Sequence, residues 1–258
     1  MNLDLQHKHA LVCGASQGIG RATAMTLARM GTRVTLLARN TDNLQIVCAE
    51  LATRHGQQHD YISADLDQPE KLKDQLAKLD TVHILVNNAG GPPGGPIHNA
   101  NTDAFEAGMR RHLLANQTLV QQVLPGMREA GFGRIINIIS TSVKEPIPGL
   151  GVSNTVRWAV AGWAKTLARE LAPDHITVNN VLPGFTDTER LSSLFSGKAE
   201  KTGKSAEQVR DEALAQVPMG RFANPQEIAN GIAFLASPAA AYITGINLPV
   251  DGGRLHSL

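Results

Sequence analysis

The chain has 258 residues, of which 42% are hydrophobic and 18% charged, with a formal net charge of +1. This composition supports a sizeable buried core and excludes intrinsic disorder. A near-neutral balance with no run of Lys and Arg gives no electrostatic footprint for nucleic acid or an anionic membrane. In chain order, the apolar run His9–Cys13 predicts a strand, a Gly-rich turn follows, and residues 19–30 carry a helical pattern. Arg33–Ala38 predicts a second strand, residues 41–54 a helix, 59–63 a short strand, 69–79 a polar helix and 82–86 a strand. A long helical region over 102–130 leads to a strand at 134–139, a helix at 153–171 and a strand at 176–181. A last helix, Pro225–Ala236, precedes a strand at 246–250.

Strand and helix in alternation predict an α/β fold, a doubly wound parallel sheet of about seven strands with helices on both faces. Near-continuous apolar strands fit burial on both sides. No linker or repeat interrupts residues 1–258, which predicts one domain. Two segments break the rhythm: the Gly/Pro loop from Gly90 to Pro96, and a mixed stretch at 185–217 expected to hold short helices and to act as a lid. Both follow C-terminal strand ends, where open α/β sheets place their ligands.

Gly14-Ala-Ser-Gln-Gly18-Ile-Gly20 follows a strand and opens a helix. Glycines there permit a tight turn and let the backbone approach a pyrophosphate seated on the helix N-terminus. The second strand ends Leu37-Ala38-Arg39, with no carboxylate to repel a ribose 2′-phosphate and a guanidinium able to grip one. That favours NADP(H) over NAD(H), although Gln17 is neutral and Arg39 has an alternative as a solvated residue stacking on adenine.

With Asn87-Asn88-Ala89-Gly90, Pro183-Gly184 followed by Thr188, and the tail motifs at 242–245 and 250–253, the chain resembles the short-chain dehydrogenase/reductase family, and within it the 3-oxoacyl-carrier-protein reductases. The resemblance spans nearly the whole chain and implies a Rossmann fold and an oxidoreductase. It implies that Gly14, Ser16, Gln17, Gly18, Ile19 and Gly20 hold the phosphates, that Asp65 and Leu66 meet the adenine, that Asn88, Ala89 and Gly90 line the adenosine side, and that Pro183, Gly184 and Thr188 meet the nicotinamide. Cys13 stands where the family usually has a threonine.

The catalytic pattern departs from the family. It uses a serine, a tyrosine thirteen residues on, a lysine four further, and an asparagine on the preceding helix. Here Ser140 matches, but Ser153 replaces the tyrosine, Arg157 the lysine and His112 the asparagine. The chain's tyrosines, Tyr61 and Tyr242, lie far from that register. An aliphatic hydroxyl cannot replace a phenol as an acid, and arginine stays charged at ordinary pH. Ser140 and Ser153 are therefore expected to donate to a developing oxyanion, Arg157 to stabilise it and hold the ribose, and His112, the one nearby group with an ordinary pKa near neutrality, to deliver the proton. The bland alternatives are a structural His112 on its helix and a helix-starting Ser153.

Three readings follow: an NADP(H)-dependent oxidoreductase on a small carbonyl or alcohol substrate, an NADP(H)-binding protein without turnover (a sensor or a structural subunit), and non-redox chemistry, which nothing in the residues singles out. An apolar pocket is expected from Pro146, Pro148, Leu150 and residues 191–195, with no charged cluster to suggest a strongly anionic substrate. Family relatives are commonly tetramers, so a homo-oligomer, tetramer or dimer, is expected by resemblance, with the stripe Trp158, Val160, Ala161 and Ala164 available to an interface or to the core. The histidines and cysteines show no zinc-ligand spacing, so no metal is expected; His55 and His59 read as a surface pair. Cys13 and Cys48 are too few for a disulfide framework. The polar start lacks a signal peptide's apolar core, and no apolar run reaches the roughly 18 residues of a membrane helix. The expected setting is the cytoplasm.

Overall fold

A computed structural model describes residues 1–257. Seven strands form one all-parallel sheet: β1 (His9–Cys13), β2 (Arg33–Ala38), β3 (Asp60–Ser63), β4 (Ile84–Asn87), β5 (Gly133–Ile138), β6 (Ile176–Pro183) and β7 (Asn247–Val250). Their order is β3-β2-β1-β4-β5-β6-β7. The chain winds outward from β1 to β3, then restarts on the other side of β1 with β4. That reversal opens a crevice between the C-terminal ends of β1 and β4.

Period-two alternation divides the strand side chains between two cores. Ala10 and Val12 of β1 face a layer made with α1 (Gly18–Arg29), α2 (Thr41–Glu50) and α9 (Pro225–Ala236), through Leu27, Leu44, Ile228 and Ile232. Leu11 and Cys13 face the opposite layer of α3 (Pro69–Leu76), α5 (Ala115–Glu129) and α6 (Gly151–Leu171), through Leu72, Leu119, Val123, Ala164 and Leu171. Full burial of each such aliphatic side chain contributes about 1.5–3 kcal/mol. On α6, Val160 and Ala164 are core, while Trp158 is half exposed with its indole N–H donated to the Ser142 carbonyl at 2.9 Å. The stripe expected to be shared with an interface is therefore mostly interior.

The helical region expected over 102–130 is interrupted. It comprises α4 (Thr102–Met109), a π-helical turn over Arg110–Leu114, and α5. The wider turn changes the helical phase at His112, as π-bulges near sites often do. Residues 185–217 contain α7 (Glu189–Thr202), capped by the Thr188 side chain, and α8 (Ala206–Leu214), opened by a Ser205–Gln208 capping box. Phe185, Phe195 and Phe222 pack mutually beneath these helices, with ring centroids 5.7–6.3 Å apart.

An amide ladder crosses four strands. Asn87 donates to Asn137 at 2.8 Å, Asn137 to Asn180 at 2.9 Å, and Asn180 to Asn247 at 2.8 Å. The four share one register across β4, β5, β6 and β7. Each amide donates to the next, which ties the end of β4 through β5 and β6 to the start of β7, and Asn87 Oδ1 alone of the buried ladder oxygens is left without a partner among the described residues.

Candidate active site

A cavity of about 1200 Å³ opens over the C-terminal edge of the sheet. Its wall takes Gly14 after β1, Arg39 after β2, Asp65 and Leu66 after β3, Asn88, Ala89 and Gly90 after β4, Ser140 after β5, and Pro183 and Gly184 at the end of β6. Ser16, Gln17, Gly18, Ile19, Ser153, Arg157 and Thr188 also lie on that wall, whereas Gly20 is buried in the first turn of α1 and does not line it. His112 is not among the lining residues.

The first turn is compressed. A Cβ on Gly14 would lie 2.4 Å from the Asn88 carbonyl oxygen, and one on Gly20 2.2 Å from the Gly14 carbonyl oxygen. Gly14 and Gly18 have φ of 58° and 54°, in the left-handed region. The N-cap, Gln17, makes no side-chain cap bond, and the first turn of α1 holds no acidic residue. Its free N–H groups and dipole therefore face the cavity unneutralised, which suits a phosphate. Cys13 is wholly buried and its thiol is pushed up to about 12 by desolvation, so it is a small apolar filler and not a nucleophile.

Arg39 follows β2 on the cavity rim, with its carbonyl accepting from Ser63 Oγ at 3.1 Å. Asp65 Oδ1 accepts from the Asp67 N–H at 3.0 Å, which shapes the turn after β3. Sequence reasoning missed the next element. Asp67 pairs bidentately with Arg111 at 2.6 and 2.5 Å. The Arg111 hydrogen bond, followed by its charge, holds the Asp67 carboxyl below the usual range against a desolvation that raises it.

Ser140 lies two residues beyond β5, in extended backbone, and its Oγ accepts from the Ser142 N–H at 3.1 Å. Ser153 and Arg157 sit four apart near the start of α6, on one helical face. Arg157 is 8% exposed. It donates Nη1 to the Ile138 carbonyl at 2.8 Å and Nη2 to the Ala89 carbonyl at 3.5 Å, so it bridges the ends of β5 and β4, while Nε has no partner. Among the described residues no carboxylate pairs with it. Burial, then the Arg190 charge, pulls its pKa down to about 10. The guanidinium stays protonated at neutral pH.

His112 does not match its expected part. It is 3% exposed, and its Nε2 has no partner. Desolvation, then the charges of Arg157 and Arg111, lower its pKa to about 2, against a smaller opposing hydrogen bond to the Gly90 backbone. A ring that protonates there is neutral throughout the working pH range. The near-neutral titration expected from its ordinary pKa is lost because two cations surround it in a dry pocket.

Arg190, in the first turn of α7, was not foreseen either. Its Nη2 donates to the Gly91 and Pro92 carbonyls at 3.1 and 2.8 Å. The one available signal was its place two residues after Thr188, at the mouth of the cavity. The apolar part of the wall comes from Leu150, Leu191, Leu194 and Pro92; Pro146 and Pro148, expected there, do not line it, and Phe195 is turned into the aromatic cluster. Among the described residues no cluster of metal-ligating side chains occurs, and no helix is long and apolar enough to cross a membrane.

Comparison with known proteins agrees with this geometry. A family model described as enoyl-(acyl carrier protein) reductase matches residues 14–254. The NADPH-dependent reductase BacG of Bacillus subtilis is 30% identical, covering 98% of this chain and all of the relative. The 3-oxoacyl-[acyl-carrier-protein] reductase FabG of Vibrio cholerae is 36% identical over 97% of this chain and 98% of its own. The L-sorbose reductase of Gluconobacter frateurii, solved with NADPH and L-sorbose, superposes with a TM-score of 0.91 at 30% identity and full coverage of both chains. The chain belongs to the short-chain dehydrogenase/reductase family of oxidoreductases.

Proposed function

We propose that this protein is an NADP(H)-dependent reductase of a small carbonyl substrate that uses Ser140, Ser153 and Arg157 in place of the family's tyrosine and lysine. The observation that carries this reading is the buried, carboxylate-free guanidinium of Arg157 on the wall of the cavity that Ser140 and Ser153 also line. The residues present fit the dinucleotide. The glycine turn has no room for a Cβ, α1 opens on the cavity without a competing acid, and Arg39 stands at the end of β2. Gly14, Ser16, Gln17, Gly18, Ile19 and Gly20 would hold its phosphates, Arg39 the 2′-phosphate, Asp65 and Leu66 the adenine, and Asn88, Ala89 and Gly90 the adenosine side. Arg157 would hold the nicotinamide ribose, with Pro183, Gly184 and Thr188 beside the nicotinamide. When bound, the reduced cofactor supplies the hydride.

The protein's own part is electrostatic. The Ser140 and Ser153 hydroxyls donate to the substrate oxygen, and the Arg157 charge favours the alkoxide. Removing one such donor typically costs about 10²- to 10³-fold in rate. His112 stays neutral and off the wall, so the alkoxide takes its proton from water in the open cavity. His112 instead packs behind the loop that carries Gly90.

The family model describes an enoyl reductase, but hydroxyls and a fixed cation on the wall suit a carbonyl oxygen better than a carbon–carbon double bond. The free thiols of Cys13 and Cys48 support a reducing compartment, the cytoplasm. Half-exposed Trp158 on α6 and exposed Tyr242 ahead of β7 support a homo-oligomer. The test is NADPH binding by fluorescence, then NADPH oxidation against a panel of ketones and 3-oxoacyl thioesters. Turnover with any member supports the reductase. Binding with no turnover across the panel supports instead a nucleotide-binding protein without catalysis.

A further inference from the structure

The cavity wall carries a second positive charge, Arg190, that the reaction above does not use. A Cβ built on Gly91 would lie 3.5 Å from Arg157 Nη2, 3.6 Å from Arg190 Nη2 and 4.0 Å from Ser153 Oγ. Two guanidiniums and one hydroxyl, from α6 and α7, thus border the space beside this glycine. None of the ion pairs among the described residues includes Arg157 or Arg190. Their protein partners are backbone carbonyls of Ile138, Ala89, Gly91 and Pro92. Arg157 Nε is buried with no partner at all.

Two like charges near one point repel each other, and burial makes the repulsion larger. Each guanidinium is held below its ordinary range, Arg157 by burial and then by Arg190, and Arg190 by burial and then by Arg111. The nearby acid, Asp67, is committed to Arg111. Among the described residues no ion pair neutralises these two guanidiniums, so an anion entering there relieves the repulsion and meets planar groups suited to a carboxylate. Arg190 also fastens the start of α7 to the Gly/Pro loop, and Lys201 Nζ fastens its end through the Gly94 carbonyl at 2.8 Å. The second cation is thus held against the cavity mouth rather than free in solvent.

We propose that Arg190, with Arg157, forms a carboxylate subsite, and that the substrate is a short oxo acid whose carboxylate lies one or two carbons from the carbonyl. The separation of the two Nη2 atoms, no more than the sum of their distances to the Gly91 position, admits a carboxylate and its neighbouring carbonyl but no long spacer. This rests on the reductase reading of the same cavity. The sequence shows no charged cluster to suggest a strongly anionic substrate, because Arg190 reaches the site from a helix distant in the chain.

The test uses binding as well as turnover. Calorimetry on the NADP⁺-loaded protein, which cannot reduce the probe, compares 2-oxohexanoate and 3-oxohexanoate with their methyl esters. The wild type is expected to bind at least one acid about tenfold or more tighter than its ester. Arg190→Gln should bring that ratio toward one, and Arg190→Lys should keep part of it. Circular dichroism and NADPH affinity report whether each variant is folded. Equal affinities in the wild type, no measurable binding of either form, or a ratio unchanged in Arg190→Gln would overturn the subsite. So would an Arg190→Gln defect confined to NADPH affinity, which would assign the arginine to the cofactor. Selective binding of an acid that NADPH never reduces would keep the subsite and sink the reductase.

Discussion

Arg157 and Arg190 reach the same point beside Gly91, at 3.5 and 3.6 Å, from two different helices. The first is buried behind the ends of β4 and β5, and the second stands at the start of α7, bonded to the Gly91 and Pro92 carbonyls. In the proposed reading the site works by fixed positive charge where the family pattern works by proton relay. Arg157→Ala should therefore lower kcat by about 10²- to 10³-fold and weaken NADPH binding. Arg157→Lys should restore only part, since an ammonium cannot bridge the Ile138 and Ala89 carbonyls as a planar fork does. Steady-state kinetics with a reducible oxo compound, together with NADPH fluorescence, separates the two effects.

His112 gives a prediction about pH. Its pKa lies at about 2, so no limb of the pH–rate profile between about pH 5 and 8 belongs to it. His112→Asn should leave the shape of that profile unchanged, whatever its effect on absolute rate. A limb that disappears in the variant would return histidine to the mechanism.

The same shift has a consequence for stability. His112 at about 2 and His9 at about 4 both protonate more readily unfolded, near 6.5. As pH falls below 6.5 the unfolded chain gains protons that the folded one refuses, so stability is complete above 6.5 and is lost on acidification. Each histidine steepens the loss by up to roughly 1.4 kcal/mol per pH unit, His9 until about pH 4 and His112 further down. Urea unfolding at a series of pH values should show a shallower slope in His112→Asn.

Much of this was legible in the sequence. The alternation of apolar runs placed all seven strands, and Arg33–Ala38 and Pro225–Ala236 match to the residue. The glycine turn announced itself because Gly14, Gly18 and Gly20 each answer a local demand of backbone geometry. What local pattern could not carry were relationships between distant elements. The π-turn at Arg110–Leu114, the burial of His112, the Asp67–Arg111 pair and the Asn87–Asn137–Asn180–Asn247 ladder each exist only once strands and helices are in register. Arg190 was invisible for the same reason: nothing near it in the chain says that α7 folds back onto Gly91.

The amide ladder is testable alone. Asn137 is fully buried and serves both neighbours, so Asn137→Ala leaves the Asn87 Nδ2 donor and the Asn180 Oδ1 acceptor without partners, while Asn180 keeps its bond to Asn247. Each orphaned amide costs about 1–3 kcal/mol, and a drop of that order or more in unfolding free energy is expected. No drop would mean that water or relaxation replaces the lost bonds.

Arg39 should decide between the two dinucleotides. Arg39→Gln removes the charge at the end of β2, and NADPH affinity should fall by about 10- to 100-fold through loss of a charge-assisted contact, while NADH affinity changes little. Competition titrations with both nucleotides measure the ratio.

The most direct test follows an isotope. NADPH deuterated at C4 is incubated with the protein and a panel of ketones and oxo acids, and the products are analysed by mass spectrometry. Transfer of deuterium to the carbonyl carbon, abolished or strongly slowed in Arg157→Ala, is the predicted result. A protein that binds NADPH yet labels no product, or one whose Arg157→Ala variant transfers deuterium at the wild-type rate, contradicts the account.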